Sequence, residues 1–190
     1  RIRPDGAKTI VVIDTGPDFR LQMLNTGVRR VDAVVYTHAH ADHIHGIDDL
    51  RGFWLEHKKL IDIHTDEATS ARLREGFLYC FETPPRSYYP PIVRDNRIVH
   101  HRPFTVSGPG GDIRFEPLPQ RHGSIVSLGF RIENIAYCSD VSDFPAETVE
   151  RPAGLDTLVI DALQHEPHPT HISLSESLEW IGRLAPKRAI

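Results

Sequence analysis

The stretch that most constrains this chain runs from Val31 to Leu50, VDAVVYTHAHADHIHGIDDL. Its first part is a short apolar run, Val31, Ala33, Val34, Val35 and Tyr36, rich in β-branched residues and of strand length. Polarity then switches at once. Thr37-His38-Ala39-His40-Ala41-Asp42-His43 sets three histidines and a carboxylate within six residues, and Gly46 follows with a helix-like run through Leu50. In extended backbone, side chains two apart point the same way, so His38 and His40 can grip one cation together. A turn into a helix at Asp42 sets that carboxylate and His43 on a first helical turn, facing a second position beside the first. Imidazole and carboxylate suit zinc, manganese and iron, and paired sites hold their ions roughly 3.5–4 Å apart. A histidine-rich surface loop would match the composition. It would not explain a buried strand leading into the cluster, or alanines that leave room between the ligands. His45, beyond His43, reads as an incidental surface histidine.

THAHADH matches the HxHxDH signature of the metallo-β-lactamase superfamily, and the chain resembles that superfamily over nearly its whole length. The resemblance implies a mixed α/β fold, a four-layer αββα sandwich, in a single domain spanning 1–190. It also implies a metal-dependent hydrolase with two divalent ions, zinc or manganese. It leaves the substrate open, because one fold hosts many hydrolases. Several positions carry over individually. His122, in Gln120-Arg121-His122-Gly123-Ser124 between two strands, stands at the third ligand position and joins His38 and His40 on the first metal. Asp42 and His43 serve the second. Asp140, closing the strand Ile135-Ala136-Tyr137-Cys138-Ser139-Asp140, matches the aspartate that bridges both. Cys138, two residues earlier on the same face, is a possible thiolate ligand by position, and the aspartate fits the wider hydrolase pattern better. Asp14, ending Lys8 to Ile13, supports the metal loops from behind.

His171 lies just ahead of Ser173-Leu174-Ser175-Glu176, a capping box that opens a helix with Leu174, Leu178 and Ile181 as its apolar stripe. In ribonuclease Z and in cyclic phosphodiesterases of the superfamily, a histidine placed this way acts on the phosphate. The resemblance therefore makes His171 the general acid, with His168 the fallback, and Asp42 both ligand and catalytic residue. The set GPDFR after the first strand, SD at the bridging aspartate and HPTHISL before the last helix is most similar to the cyclic phosphodiesterases of phosphonate metabolism. The expected substrate is a small phosphate ester or (cyclic) nucleotide. An amide or thioester hydrolase of β-lactamase or glyoxalase II type, and a non-catalytic metal or nucleotide sensor, are the rival readings.

Composition agrees. The formal net charge is −4 with basic residues scattered, so two divalent ions would bring it to about zero. Long nucleic acid is not expected as a partner, nor is a membrane, since no apolar run nears the roughly 20 residues that span a bilayer. Self-association, if any, is expected as a homodimer. Two distant cysteines, Cys80 and Cys138, give no disulfide framework, and a reducing cytoplasm is the expected setting.

The rest reads coarsely. Arg1 to Ile13 is a strand remnant, a Pro4-Asp5-Gly6 turn and a strand; Pro17 and Asp18 start a helix through about Asn25. A helix from about Asp42 to Leu50 precedes the strand Ile61 to His64. Thr65 caps a helix to about Arg74. Thr83 to Pro91 is a proline-punctuated loop whose Tyr88, Tyr89 and Arg86, with Ser173, are candidate substrate contacts, since aromatics beside an arginine suit a nucleobase and a phosphate. Arg97 to Ser107 and Asp112 to Leu118 alternate like strands across a Gly108-Pro109-Gly110-Gly111 hairpin turn, with His100 and His101 on a strand edge. Lys187 to Ile190 opens a final strand. The histidine that normally follows it, the last ligand of the second metal, has no counterpart here; the start also reads as clipped, so the expectation is a chain clipped at both ends or, failing that at this end, an incomplete second site.

Overall fold

The apolar run after Val31 becomes β2 (Ala33–Val35), buried at every position. In the computed structural model, which describes residues 1–149 and 154–190, β2 is an interior strand of a four-stranded sheet. It pairs in parallel with β1 (Val11–Ile13) on one side and β3 (Ile61–Thr65) on the other. β3 pairs in parallel with β4 (Val93–Arg97). Parallel neighbours need crossover connections. These are α1 (Phe19–Thr26), then α2 (Ala41–Ile44) with a 3-10 turn at Ile47–Asp49 and α3 (Leu50–His57), then α4 (Glu67–Phe81). Phe19, Val34, Ile47, Leu50, Ile63 and Leu73 form the core of this first unit, Arg1–Ile98 with Thr105–Ile113.

Several boundaries differ from the sequence reading. The helix expected from Asp42 to Leu50 is broken at His45-Gly46 and resumes to His57. Gly46, at the break, sits where no side chain fits: a Cβ there would run into the Gly16 carbonyl and lie 2.9 Å from Phe19 Cβ. The helix after β3 is capped by Asp66, whose carboxylate accepts the Thr69 N–H at 2.8 Å, because Thr65 is still in the strand and donates its hydroxyl to Asp95. It runs past Arg74 to Phe81 through a non-helical Phe77. Before β1 the chain makes the expected turn, with an antiparallel bridge between Ile2 and Lys8.

The second unit, Val99–Phe104 with Arg114–Ile190, is built on a six-stranded sheet. The strands of that sheet are β5 (Phe104–Val106), of which only Phe104 falls in this unit, β6 (Ile113–His122), β7 (Ile125–Ile132), β8 (Ile135–Cys138), β9 (Thr157–Ile160) and β10 (Arg188–Ala189), in spatial order β10-β9-β8-β7-β6-β5. β6, β7 and β8 are antiparallel, while β8, β9 and β10 run parallel. The strand expected over Arg97–Ser107 is interrupted, and His100 and His101 lie in that turn, not on a strand edge. A two-residue loop, Gly123-Ser124, joins β6 to β7 and leaves His122 opposite Ile125 at the hairpin end.

Helix α5 (Ala146–Val149) is short, and α6 (Leu174–Leu184) carries the expected capping box. Its packed face is Trp180, Ile181 and Leu184 against Leu118, Ala136, Leu158 and Ile172. Leu174 and Leu178, expected on that stripe, are exposed instead. Two sheets with helical crossovers give the mixed α/β class the resemblance implied. Both cysteines are buried and unbridged. Among the described residues no helix is long and apolar enough to cross a membrane.

Candidate metal centre

In the first unit, the chain leaves β2 through the buried Tyr36 and stays extended to His40, the N-cap of α2 with φ −70° and ψ 153°. His38 is buried and its Nε2 lies 3.0 Å from His40 Nδ1, the two side chains sharing a direction as their spacing predicts. Zinc–imidazole bonds of about 2.0–2.1 Å put two such nitrogens on one ion at about this separation. Asp42 is largely exposed on the first turn of α2, with a carboxylate oxygen 3.5 Å from His43 Nε2.

Asp14 organises this half. Its backbone is left-handed, φ +61°. Its carboxylate accepts the Thr37 N–H at 2.8 Å and the Thr37 hydroxyl at 2.7 Å, and lies 2.7 Å from His43 Nδ1. Burial pushes the Asp14 carboxyl above its ordinary range, against the hydrogen bonds and the charge of His43, which pull it down. The partners assign the tautomers. A carboxylate only accepts, so His43 Nδ1 carries hydrogen and Nε2 carries the lone pair. The Thr37 hydroxyl spends its hydrogen on Asp14, so it accepts from His38 Nδ1 at 3.0 Å and His38 Nε2 carries the lone pair. The loop is stitched in place by Thr15 N–H to the His43 carbonyl and Gly46 N–H to the Thr15 carbonyl, both 2.8 Å.

In the second unit, His122 Nδ1 lies 2.6 Å from the Thr170 carbonyl, an acceptor, so here too Nε2 carries the lone pair. That nitrogen is 3.9 Å from Asp140 Oδ2. Asp140 has turned out of β8 with φ +45°, and its carbonyl accepts the Ser127 hydroxyl at 2.8 Å. The His171 ring stands 4.7 Å from the His122 ring, and its Nδ1 lies 2.6 Å from Asp161 Oδ2. One ligand atom each from His122, Asp140 and His171 fall within 4.8 Å of one another. The His122 imidazole and the Asp140 carboxylate are donors that fit zinc, manganese or iron. Burial pushes the Cys138 thiol up to about 12, which disfavours a thiolate there and agrees with reading it as a packed small residue.

The loop residues fare differently. Tyr88 is fully exposed, and Tyr89 sits 5.8 Å from the Arg51 guanidinium. Arg86 takes φ +62°. Ser173, expected among the substrate contacts, is buried, and its hydroxyl and N–H are both taken up with Glu176 in the capping box. Its work is to start α6. His45 is exposed as expected, with its ring edge on Phe77.

A family profile described as "Beta-lactamase superfamily domain" matches residues 9–190. The chain belongs to that family. Among solved structures, a diphosphatase from the PhnP family is 37% identical, with a TM-score of 0.83 over 94% of this chain and 66% of that one. Human tRNase Z, short form, shares the fold at 14% identity, with a TM-score of 0.70 over 97% of this chain and 84% of that one. An octanoyltransferase of Porphyromonas gingivalis (strain ATCC BAA-308 / W83) is 32% identical over 184 residues, covering 95% of this chain but 35% of that protein. This beta-lactamase superfamily domain thus spans about a third of that relative's length. It has the fold of that family and carries histidine–carboxylate groupings in each unit.

Sequence reasoning missed four supports: Asp161, the Thr170 carbonyl, Gly16 and Gly46. Asp161 had a signal, since Val159-Ile160-Asp161 ends an apolar strand just as Val12-Ile13-Asp14 does. Both strands deliver a carboxylate to a histidine Nδ1.

Proposed function

We propose that this chain hydrolyses small phosphodiesters, cyclic and open nucleotide esters foremost, using divalent ions held by His38, His40, Asp42, His43, His122 and Asp140. The grouping of both units' ligands around one pair of ions rests on the family motif, carried over position by position. The observation that carries the choice of phosphorus is the His171–Asp161 pair beside His122 and Asp140 in a chain 37% identical to a diphosphatase. Bound divalent ions supply Lewis acidity, making water a better nucleophile at neutral pH and offsetting charge on phosphoryl oxygens. The rest falls to the chain. Asp14, through Thr37, and the Thr170 carbonyl hold three histidines with Nε2 presented as the ligand atom. Asp161 holds His171 by Nδ1, so that its Nε2, when protonated, can hand a proton to the departing oxygen. Tyr88, Tyr89 and Arg86 are the proposed contacts for a base and a phosphate.

A second reading, hydrolysis of a thioester or amide, is favoured by one observation, the octanoyltransferase relative, whose name denotes acyl transfer. Turnover separates the two. Protein stripped with chelator and reloaded with zinc or manganese is offered bis(p-nitrophenyl) phosphate, a nucleoside 2′,3′-cyclic phosphate, a β-lactam and a thioester. The proposal expects metal-dependent turnover of the phosphodiesters. Nitrophenolate leaves without a proton and an alkoxide does not, so His171→Ala should cost about 10²–10⁴-fold on the cyclic phosphate and far less on the nitrophenyl ester. Turnover of the carbonyl substrates alone refutes the proposal.

A further inference from the structure

The stretch Gln164 to Ser173 is tied at both ends: Leu174 N–H donates to the Gln164 carbonyl at 2.9 Å, and Ile172 N–H to the Val141 carbonyl at 2.8 Å. Between them, His168 turns inward and its Nδ1 receives the Thr170 N–H at 3.3 Å and faces the Thr170 hydroxyl at 3.2 Å. An imidazole nitrogen that accepts a backbone N–H bears the lone pair, so the hydrogen of neutral His168 is on Nε2. Thr170 in turn offers its carbonyl to His122 Nδ1 at 2.6 Å, the shortest hydrogen bond that His122 makes among those described. The methyl of Thr170 meets the other side of the same turn. A Cβ on Gly123, where φ is +59°, would fall 2.6 Å from Thr170 Cγ2, so glycine lets the two loops close. Gly123 N–H is held by Ser142 Oγ at 3.1 Å.

We propose that His168 is a positioning residue: by gripping the main chain of Thr170 it aims that residue's carbonyl at His122 and fixes which ring nitrogen of His122 is presented to the metal. The inference rests on the reading of His122 as a ligand. It goes beyond that reading in giving a task to a histidine outside the proposed ligand set. Partners that orient a ligating imidazole typically carry about 10–100-fold in metal affinity. His168 works one step further back, through a backbone.

The test uses the whole chain with two substitutions. His168→Leu removes the acceptor, and His168→Asn puts a carbonyl oxygen where Nδ1 stands. Long-range ¹H–¹⁵N NMR on metal-free protein reads the His122 tautomer, and competition with a chromophoric chelator reads zinc affinity. The wild type should show hydrogen on Nδ1 alone. His168→Leu should mix the tautomers and weaken zinc by about 10-fold or more, and His168→Asn should restore both, within about threefold in affinity. Unchanged tautomer and affinity in His168→Leu, or no recovery in His168→Asn, overturns the proposal. Wild-type protein that takes up no zinc overturns the metal reading, and the metal-free tautomer still decides the role of His168.

Discussion

Replacing Asp14 by Asn tests how the first unit prepares its histidines. Asn has the same size and tolerates the left-handed φ of +61°. Its Oδ1 still accepts the Thr37 N–H, but an NH₂ group replaces the oxygen that received the Thr37 hydroxyl and His43 Nδ1. Two donors cannot face each other. His43 must move its hydrogen to Nε2, and the Thr37 hydroxyl must reverse, accepting from Asn and donating to His38 Nδ1. Both imidazoles then lose the Nε2 lone pair. A supporting partner alone is worth about 10–100-fold in affinity, or about 1.4–2.7 kcal/mol. Stability should respond less. Hydrogen bonds to a charged group, about 1.5–3 kcal/mol each, are lost, but so is the penalty of a buried charge, and the two oppose. The metal-free protein should therefore shift by no more than about 2 kcal/mol.

The sign with pH follows. Folding raises the Asp14 carboxyl above its ordinary 3.8, so ionising it costs the fold. On this account the metal-free wild type loses stability as pH rises from 3.8 through the raised value, and Asp14→Asn removes that slope. Urea unfolding of metal-free protein across pH, with zinc competition at pH 7, measures both quantities. Zinc affinity unchanged in Asp14→Asn would refute the tautomer argument.

Two further outcomes can be checked simply. Tyr88→Ala with Tyr89→Ala should raise KM for a nucleotide ester about 10-fold, as loss of base stacking worth about 1–3 kcal/mol implies, and leave bis(p-nitrophenyl) phosphate nearly unaffected; equal effects on both would remove the loop from substrate binding. Asp62 is drawn in the other direction: burial raises its carboxyl, but Arg94, with contacts of 2.5 and 2.7 Å, and Asn96 outweigh it and hold it below the ordinary 3.8. Its stabilising share is full above 3.8 and lost as pH falls through the lowered value, so Asp62→Asn should flatten the acid limb of the unfolding curve and leave neutral turnover intact.

What could be read beforehand was what local pattern dictates. The histidine loop combines spacing with a change of polarity, and both survive folding because they depend on neighbours in the chain. Ser173-Leu174-Ser175-Glu176 was legible as a cap for the same reason, and that demand is the one Ser173 meets. Long-range contacts left no local trace. The need for glycine at position 46 comes from Gly16, thirty residues earlier, whose carbonyl occupies the place a Cβ would take. The Thr170 carbonyl reaches His122 across 48 residues through an atom every residue possesses. Leu174 and Leu178 fit a helical period yet face outward, because the core admits Trp180 and Leu184 on the adjoining face.

The proposal to be tested most directly is the one carried over from the family motif, that His38, His40 and His122 would hold one divalent ion and that Asp42, His43 and Asp140 would serve a second. Crystals of zinc-loaded protein, measured on both sides of the zinc absorption edge, give the direct answer. The account predicts an anomalous peak within about 2.0–2.2 Å of Nε2 of His38 and His122 and a nitrogen of His40. Anomalous peaks only at other residues, or none from protein soaked in excess zinc, would contradict it.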